Sequence, residues 1–343
     1  MQRFFISTLL LLFSLAASAQ FMPDSTVQVC AYWKVGDKYD YYVEESTKKV
    51  NSQGDTISNV LSSEIIRLEV VGSTDSSYQI QLTYHDEKST DPQNELIYQV
   101  SRELGLDTPV LFSTNAHGLL MSIDNIDELM NKAEKLVDPM MEIVKASVPD
   151  AEKVEFDFDP IREVMRSTLC NPQTIQAAVM DDIGRLYFFH GARLEMDHTY
   201  TMEEPLQFVV LPGVDNLTAN TNVWIDSEYT DEYSAICKTY SCSKLGNEFY
   251  KSALASAMNI TMDALEVPDS LSTDLKNELD GIVKNGDNHN YEFIWEQYTT
   301  EEVHLNTGWP LKLYIDKYVK VTGLDGETEE AIEQKSIEII LGE

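Results

Sequence analysis

Basic side chains are scarce in this chain of 343 residues, which holds 25 Lys and Arg residues against 58 Asp and Glu residues. Nucleic-acid binding relies on clustered Lys and Arg side chains that neutralise phosphates, and the formal net charge of −33 opposes it. We therefore expect no nucleic-acid partner. The acidity favours solubility and repulsion between copies over a dedicated role in cation binding.

Long apolar runs are missing after the N-terminus. Residues 1–19 combine a basic residue, Arg3, an apolar stretch from Phe4 to Leu15, and small residues up to Ala19, which predicts a secretory signal peptide. No later stretch approaches the ~20 consecutive apolar residues of a membrane-spanning helix. We expect an exported mature chain that begins at Gln20, resides in the periplasm or outside the cell, and has no membrane span.

Cysteine is infrequent, with four residues at Cys30, Cys170, Cys237 and Cys242. In an oxidising compartment these four thiols are candidates for disulfides, and three full pairings stay open. Cys237 and Cys242 would lie ~16 Å apart on opposite faces of a straight strand, so they can bond only if the chain turns between them. No second Cys pair or nearby His completes a four-ligand zinc set around Cys237 and Cys242.

Motifs for catalysis are absent as well: the chain has no nucleophile elbow, no phosphate-binding glycine loop and no helical histidine pair for a metal. His190 and His198 flank a loop with Arg193, Glu195 and Asp197, where an acid–base or metal site could form, although polar loop residues near a hairpin are far more common. Acidic pairs abound by chance, and the ordered calcium-loop pattern is missing. We predict that the protein is not an enzyme and has no cofactor or metal.

The most informative stretch runs from residue 110 to residue 148. Two short strands, Val110–Phe112 and Leu119–Ile123, flank a turn at 115–118, and an apolar stripe with helical spacing follows over Ile126–Val148. Asp or Asn residues before the stripe can cap the helix. Pro139 predicts either a kink or two successive helices.

Four residues of this helix are candidate ligand-binding residues: Met130, Met140, Met141 and Val144. Methionine adapts to irregular apolar shapes, so these side chains could contact an apolar ligand between helix and sheet. Filling of gaps in an ordinary core is the alternative interpretation.

Most other segments alternate as strands do, which predicts an α+β fold. Strands are predicted after the Gly36–Asp37 turn and at 62–71, 78–84, 96–100, 184–190, 199–202, 206–211, 219–227, 233–241, 291–298, 302–305, 311–322 and 332–341. Further helices are predicted at 159–168, 174–179, 247–265 and 272–284. Strands, helices and strands recur in each half, so we divide the mature chain into two related lobes, 20–181 and 182–343.

Two segments carry a resemblance, Trp33-Lys34-Val35-Gly36-Asp37-Lys38-Tyr39 and Val303-His304-Leu305-Asn306-Thr307-Gly308-Trp309-Pro310-Leu311. Both resemble uncharacterised secreted proteins of Bacteroidetes-type bacteria. Those proteins are in turn similar to periplasmic lipoprotein carriers, and this resemblance implies antiparallel, curved, half-barrel-like sheets with covering helices and an acyl chain held between them.

Two functions fit these expectations. The first is a non-catalytic scaffold or partner-binding protein of the cell envelope. The second is a carrier or sensor that binds an apolar, lipid-like ligand between sheet and helices.

Overall fold

The computed structural model describes residues 22, 24–105, 108–147, 158–206, 218–246, 292–322 and 327–340. The predicted signal peptide, the predicted helices at 247–265 and 272–284, and most of the predicted strand at 206–211 lie outside these residues.

The strands are β1 (Thr26–Gln28), β2 (Lys38–Val50), β3 (Thr56–Ser73), β4 (Ser77–Ser89), β5 (Val110–Asn115), β6 (Leu120–Ile123), β7 (Arg193–Glu195), β8 (Tyr200–Pro205), β9 (Thr218–Ile225), β10 (Ser234–Leu245), β11 (Phe293–His304), β12 (Pro310–Thr322) and β13 (Thr328–Ile340).

Eleven of these strands form one antiparallel sheet in the order β6-β5-β4-β3-β2-β13-β12-β11-β10-β9-β8, and β1 pairs with β7 separately. The order follows the chain except where the last strand, β13, pairs with β2 and so joins the two halves. Side chains alternate between faces. We call the face that carries Tyr41, Leu68 and Leu313 the inner face, and the opposite face the outer face.

The helices are α1 (Pro92–Glu103), α2 (Ile126–Ser147), α3 (Asp159–Leu169) and α4 (Pro172–Asp182), and a 3-10 turn follows at Gly184–Tyr187. The predicted antiparallel strands are confirmed and make up most of the structure, and the helices are a minor part of it. It has one large open sheet where sequence patterns indicated several sheets. The division into lobes at residue 181 stays a prediction.

The predicted unit of strand, turn, strand and helix is confirmed in β5, β6 and α2. Of the two outcomes expected at Pro139, the structure has a single helix that contains the proline. Asn125 contributes to the helix start in an unexpected way. Its side-chain oxygen accepts from Leu111 N at 2.9 Å and its amide donates to Pro109 O at 2.8 Å, so the residue fixes α2 to β5.

The predicted strand at 96–100 is wrong, because this segment lies in α1. Asp91 caps the helix by accepting a hydrogen bond from Gln93 N at 2.7 Å, and Pro92 occupies the first turn, where a missing amide costs nothing. Helix α1 packs against β4.

The predicted strand at 184–190 is also wrong. This aromatic run forms the 3-10 turn and a compact loop, because Leu186, Tyr187 and Phe189 are buried in two different directions. Leu186 and Tyr187 join the larger apolar cluster, whereas Phe189 joins a second one. A short apolar run cannot be assigned to strand or turn from its periodicity alone.

The core consists mainly of two apolar clusters on the inner face. The larger cluster lies under α4 and the 3-10 turn and is built from β2–β5, β12 and β13. The second cluster surrounds Phe189 between β1 and the ends of β9, β10 and β11. A smaller group around Trp295 lies at the far end of β11.

The two segments that carry the resemblance meet in space. Trp33 and Trp309 pack with ring centroids 4.9 Å apart, and Tyr32 N donates to Thr307 O at 3.1 Å. Gly308 has φ +72°, and a Cβ there would lie 2.2 Å from the backbone oxygen of Cys30, so the close approach requires glycine. The segment before β2 and the turn between β11 and β12 are therefore packed together at this junction.

Candidate functional site

The four candidate residues on α2 lie in different environments. Met141 is fully buried, and Met130, Met140 and Val144 are half-buried. Helix α2 packs against α3 and α4, and its Leu129 reaches the larger apolar cluster. A cavity of about 280 Å³ elsewhere in the structure is lined by other residues. Binding of an apolar ligand by these four residues stays a prediction.

No disulfide joins any of the four cysteines to another described residue. Cys237 and Cys242 both lie in β10, so the chain is extended between them and does not turn. Their side chains face opposite sides of the sheet. Cys30 is buried with its sulfur 3.6 Å from Nδ1 of His117, and burial raises the pKa of its thiol. Cys170 ends α3, where its thiol donates to Glu134 at 3.3 Å.

The structure places the two histidines of the candidate acid–base loop in different surroundings. His190 is buried, and its Nε2 donates to Gly308 O at 2.7 Å. Burial lowers the pKa of His190 to about 4, so the ring is neutral at physiological pH. The ring of His198 packs edge-on against Tyr200 with centroids 4.6 Å apart. Among the described residues, no group of three or more His, Cys, Asp or Glu side chains is arranged to hold a metal ion.

Polar residues replace apolar ones on the inner face of β9, β10 and β11. The buried polar set is Thr221, Thr239, Ser241, Gln297, Thr299 and Glu301. Some of these groups satisfy one another: Thr221 donates to Ser241 at 2.9 Å, for example. This polar part of the inner face is therefore less suited to an acyl chain than the apolar part beside it, because buried hydroxyls and amides need polar partners.

Glu301 is the most unusual member of this set. It is fully buried, lies opposite Cys237 on β10 and Leu313 on β12, and neither carboxyl oxygen has a hydrogen-bond partner in the described part of the chain. Burial raises the pKa of Glu301 well above its ordinary value and so favours the protonated, neutral form of the carboxyl. Burial likewise raises the pKa of its neighbours Tyr41, Tyr187 and Cys237.

The outer face carries a cluster of aromatic side chains over β9–β12. We define the outer aromatic surface as Trp224, Tyr240, Tyr298, Tyr314 and Tyr318. Tyr240 and Tyr298 lie directly opposite each other on β10 and β11, and Trp224 lies 6.3 Å from Tyr298 between ring centroids. Four strands spaced ~4.8 Å apart make this surface about 14 Å wide.

Hydrogen bonds hold the hydroxyls of this surface in place. Tyr240 donates to Glu296 at 3.2 Å, and Tyr314 accepts from Gln334 at 3.0 Å. Burial, together with Cys242 and Glu296, raises the pKa of Tyr240 to about 12, so its hydroxyl keeps its proton. Tyr240 and Tyr298 nevertheless each keep 36% of their surface exposed.

Charged pairs border the outer aromatic surface. Lys238 lies 2.5 Å from Asp226 and 5.6 Å from the ring centroid of Tyr229, and Lys244 lies 3.9 Å from Glu296. Opposite charges are therefore interspersed here, despite the acidity of the whole chain. The sequence reasoning missed this surface because its residues come from four strands and are neighbours only through the strand register.

No protein-family model and no curated protein matches the chain. Among solved structures, lipovitellin, studied for its lipid–protein interactions, is similar with 10% identity and a TM-score of 0.41. That match covers 90% of this chain but only 25% of the lipovitellin chain, so this chain spans about a quarter of its length.

Two bacterial structures are also similar to the chain. An outer membrane channel from Pseudomonas putida F1 has 7% identity and a TM-score of 0.18, over 90% of this chain and 97% of the channel. A loop-deletion mutant of an outer membrane protein of Vibrio cholerae has 9% identity and a TM-score of 0.17, over 89% of this chain and 100% of its own. These TM-scores are too low to support a functional argument. Within the described ranges, none of the helices combines the length and apolarity needed to cross a bilayer.

Proposed function

We propose that this protein is an exported, non-catalytic partner-binding protein of the cell envelope, and that the outer aromatic surface contacts a protein partner. The observation that carries the proposal is the half-exposed group of Trp224, Tyr240 and Tyr298 on adjacent strands. Tyr and Trp are enriched in the centres of protein interfaces, where they bury much surface at low cost in side-chain entropy.

The arrangement of polar groups supports the same proposal. The hydroxyls of Tyr240 and Tyr314 are already oriented by Glu296 and Gln334, so less side-chain freedom is lost on binding. The Lys238–Asp226 and Lys244–Glu296 pairs form a charged border around the aromatic centre. An aromatic centre with a polar rim is typical of specific interfaces.

The first step of the test identifies the partner. A photoreactive phenylalanine analogue replaces Tyr298 in the exported full-length protein, and the crosslinked partner is identified by mass spectrometry and purified. The same analogue at Ile57, which is 53% exposed on β3, serves as the position control. We expect one defined adduct from position 298 and none of that mass from position 57.

The second step measures affinity with the purified partner. We expect Tyr240→Ser combined with Tyr298→Ser to weaken binding at least tenfold, since truncated aromatic hot spots typically cost about 2 kcal/mol or more. Tyr42→Ser, at a 43% exposed tyrosine of the outer face on β2, should leave the affinity within about twofold. Equal affinity for the double variant and the wild type, or no adduct at position 298, would refute the proposal.

A further inference from the structure

The carboxylate of Asp316 lies in the middle of the outer aromatic surface. Asp316 on β12 is directly opposite Tyr298 of β11 and Gln334 of β13. Tyr314 and Tyr318 are two residues before and after it on the same strand, so all three side chains project from the same face. Burial first, and then the charge of Asp316, raise the pKa of Tyr314, which agrees with this closeness. The carboxylate therefore has tyrosine rings on three sides.

The neighbours of Asp316 leave its carboxylate without a counter-charge. Its four diagonal neighbours in the sheet register are uncharged or acidic: Glu296, Thr300, Ile332 and Ser336. Gln334, directly opposite, donates from its amide to the hydroxyl of Tyr314 at 3.0 Å. Within the described part of the chain, the half-buried Asp316 carboxylate has neither a hydrogen bond nor an ion pair.

Lysines on the same face are held by other carboxylates. Lys238 lies 2.5 Å from Asp226. Lys320, which follows Asp316 on β12, lies 2.9 Å from Glu292. Each of these ion pairs is close to neutral, so the negative charge of Asp316 is not balanced by them. A cation that approaches this surface therefore finds its counter-charge at the centre and not at the border.

A carboxylate beside tyrosine rings is suited to a guanidinium group. A guanidinium is planar, donates two parallel hydrogen bonds to a carboxylate, and stacks on aromatic rings with its flat face. It is also more weakly hydrated than the ammonium group of lysine, so less hydration is lost when the pair is covered. Tyr298, directly beside Asp316, is 36% exposed and so offers an accessible ring.

An uncharged partner would cover this surface at a disadvantage. The Asp316 carboxylate would lose its water and gain no cation in return, and an unpaired charge is costly to bury. A partner that supplies a cation avoids this cost, and the formal net charge of −33 attracts basic proteins at longer range. Charge complementarity therefore selects a basic protein over a neutral or acidic one.

We propose that the protein partner of the outer aromatic surface presents an arginine side chain to Asp316. The guanidinium donates to the Asp316 carboxylate and stacks on the ring of Tyr298. This inference rests on the proposed function, since it names the chemistry of the partner that the surface contacts.

The first test measures association and dissociation rates with the purified partner. Asp316→Asn preserves the size of the side chain and removes its charge, so affinity should fall at least tenfold, mainly through faster dissociation. Glu69→Gln is the matched control, because it removes one charge from a half-buried position of the outer face on β3, and should change affinity less than twofold.

The two proposals fail on different results. If Tyr240→Ser combined with Tyr298→Ser weakens binding but Asp316→Asn does not, the partner proposal stands and the arginine contact is overturned. If the tyrosine variant binds as the wild type does, the partner proposal itself is refuted.

The second test distinguishes arginine from lysine on the partner. Cyclohexane-1,2-dione blocks arginine side chains, and acetylation blocks lysine side chains. The arginine block should weaken binding to the wild type at least tenfold more than binding to Asp316→Asn, whereas acetylation should weaken both equally. Equal effects of the arginine block on the two proteins, or a larger difference after acetylation, would overturn the assignment of arginine.

A third readout needs no partner and uses a short peptide as the probe. In protein labelled with ¹³C-tyrosine, acetyl-glycyl-arginyl-glycinamide should shift the ring signals of Tyr298 and Tyr314 saturably, while that of Tyr42 on β2 stays unchanged. Tyr298→Phe and Tyr314→Phe assign the signals. The citrulline peptide has the same length without the charge and should cause no shift, and Asp316→Asn should abolish the shift with arginine. Equal shifts with citrulline, or none with arginine, would refute arginine recognition at this surface.

Discussion

Glu301 shows how a single residue can make stability depend on pH. It lies on an inner face where Cys237 and Leu313 flank it, and Tyr41 and Tyr187 approach it from β2 and the 3-10 turn. None of these neighbours is a cation, so nothing among them offsets the cost of burying a charge. The folded protein therefore keeps the Glu301 proton that the unfolded chain releases above its ordinary pKa of 4.5.

We predict that replacing Glu301 with Gln removes this pH dependence. Because the pKa of Glu301 is raised on folding, its contribution to stability is complete below pH 4.5 and is lost as pH rises towards the folded pKa. The free energy of unfolding of the wild type should fall relative to Glu301→Gln by about 1.4 kcal/mol per pH unit within that window.

Chemical denaturation from pH 4 to pH 9 measures the difference. Glu302→Gln is the matched control, since Glu302 is the next residue of β11 and faces the other side of the sheet. Parallel pH profiles for the wild type and Glu301→Gln would contradict the prediction.

At the scale of elements, alternation in the sequence located the long strands well. Tyr78, Ile80, Leu82 and Tyr84 alternate cleanly, and β4 follows. Helix α1 was missed although Asp91 and Pro92 were visible as start signals, because its apolar stripe is weak and none of its residues is buried. The outer aromatic surface and the cavity could not be predicted, since both depend on which strands are neighbours.

Helix α2 distinguishes a packed core from a ligand site. If Met141 only fills the core, Met141→Ala should lower the free energy of unfolding by about 2–5 kcal/mol, because it leaves a cavity. Met121→Ala, at a methionine on β6 that is 63% exposed, should change it by less than about 0.5 kcal/mol.

Denaturation with urea gives both values, and native mass spectrometry of the same samples detects any bound lipid. Equal, small effects of the two substitutions would contradict core packing at Met141. A lipid that accompanies the wild type but not Met141→Ala would favour the apolar carrier instead.

At the scale of the whole molecule, the sheet order could not be foreseen. The pairing of β13 with β2 brings strands from the two ends of the sequence together, and the junction of Trp33, Trp309 and Gly308 reinforces that contact. The segments that resemble secreted proteins are thus the ones that join the start of β2 to the turn between β11 and β12. Packing at the junction accounts for the side chains of these two segments. The predicted export therefore has to be tested separately.

Export is the remaining prediction and concerns residues 1–19, which lie outside the described residues. The basic start, apolar stretch and Ala17-Ser18-Ala19 predict cleavage before Gln20, since signal peptidases require small residues there. Intact-mass measurement of protein recovered outside the cytoplasm should give a chain that begins at Gln20. Ala17→Arg combined with Ala19→Arg should leave the precursor uncleaved, while Ser18→Ala should be processed normally. An exported wild-type protein that retains residues 1–19, or a wild-type protein confined to the cytoplasm, would contradict the prediction and remove the envelope setting of the proposed partner.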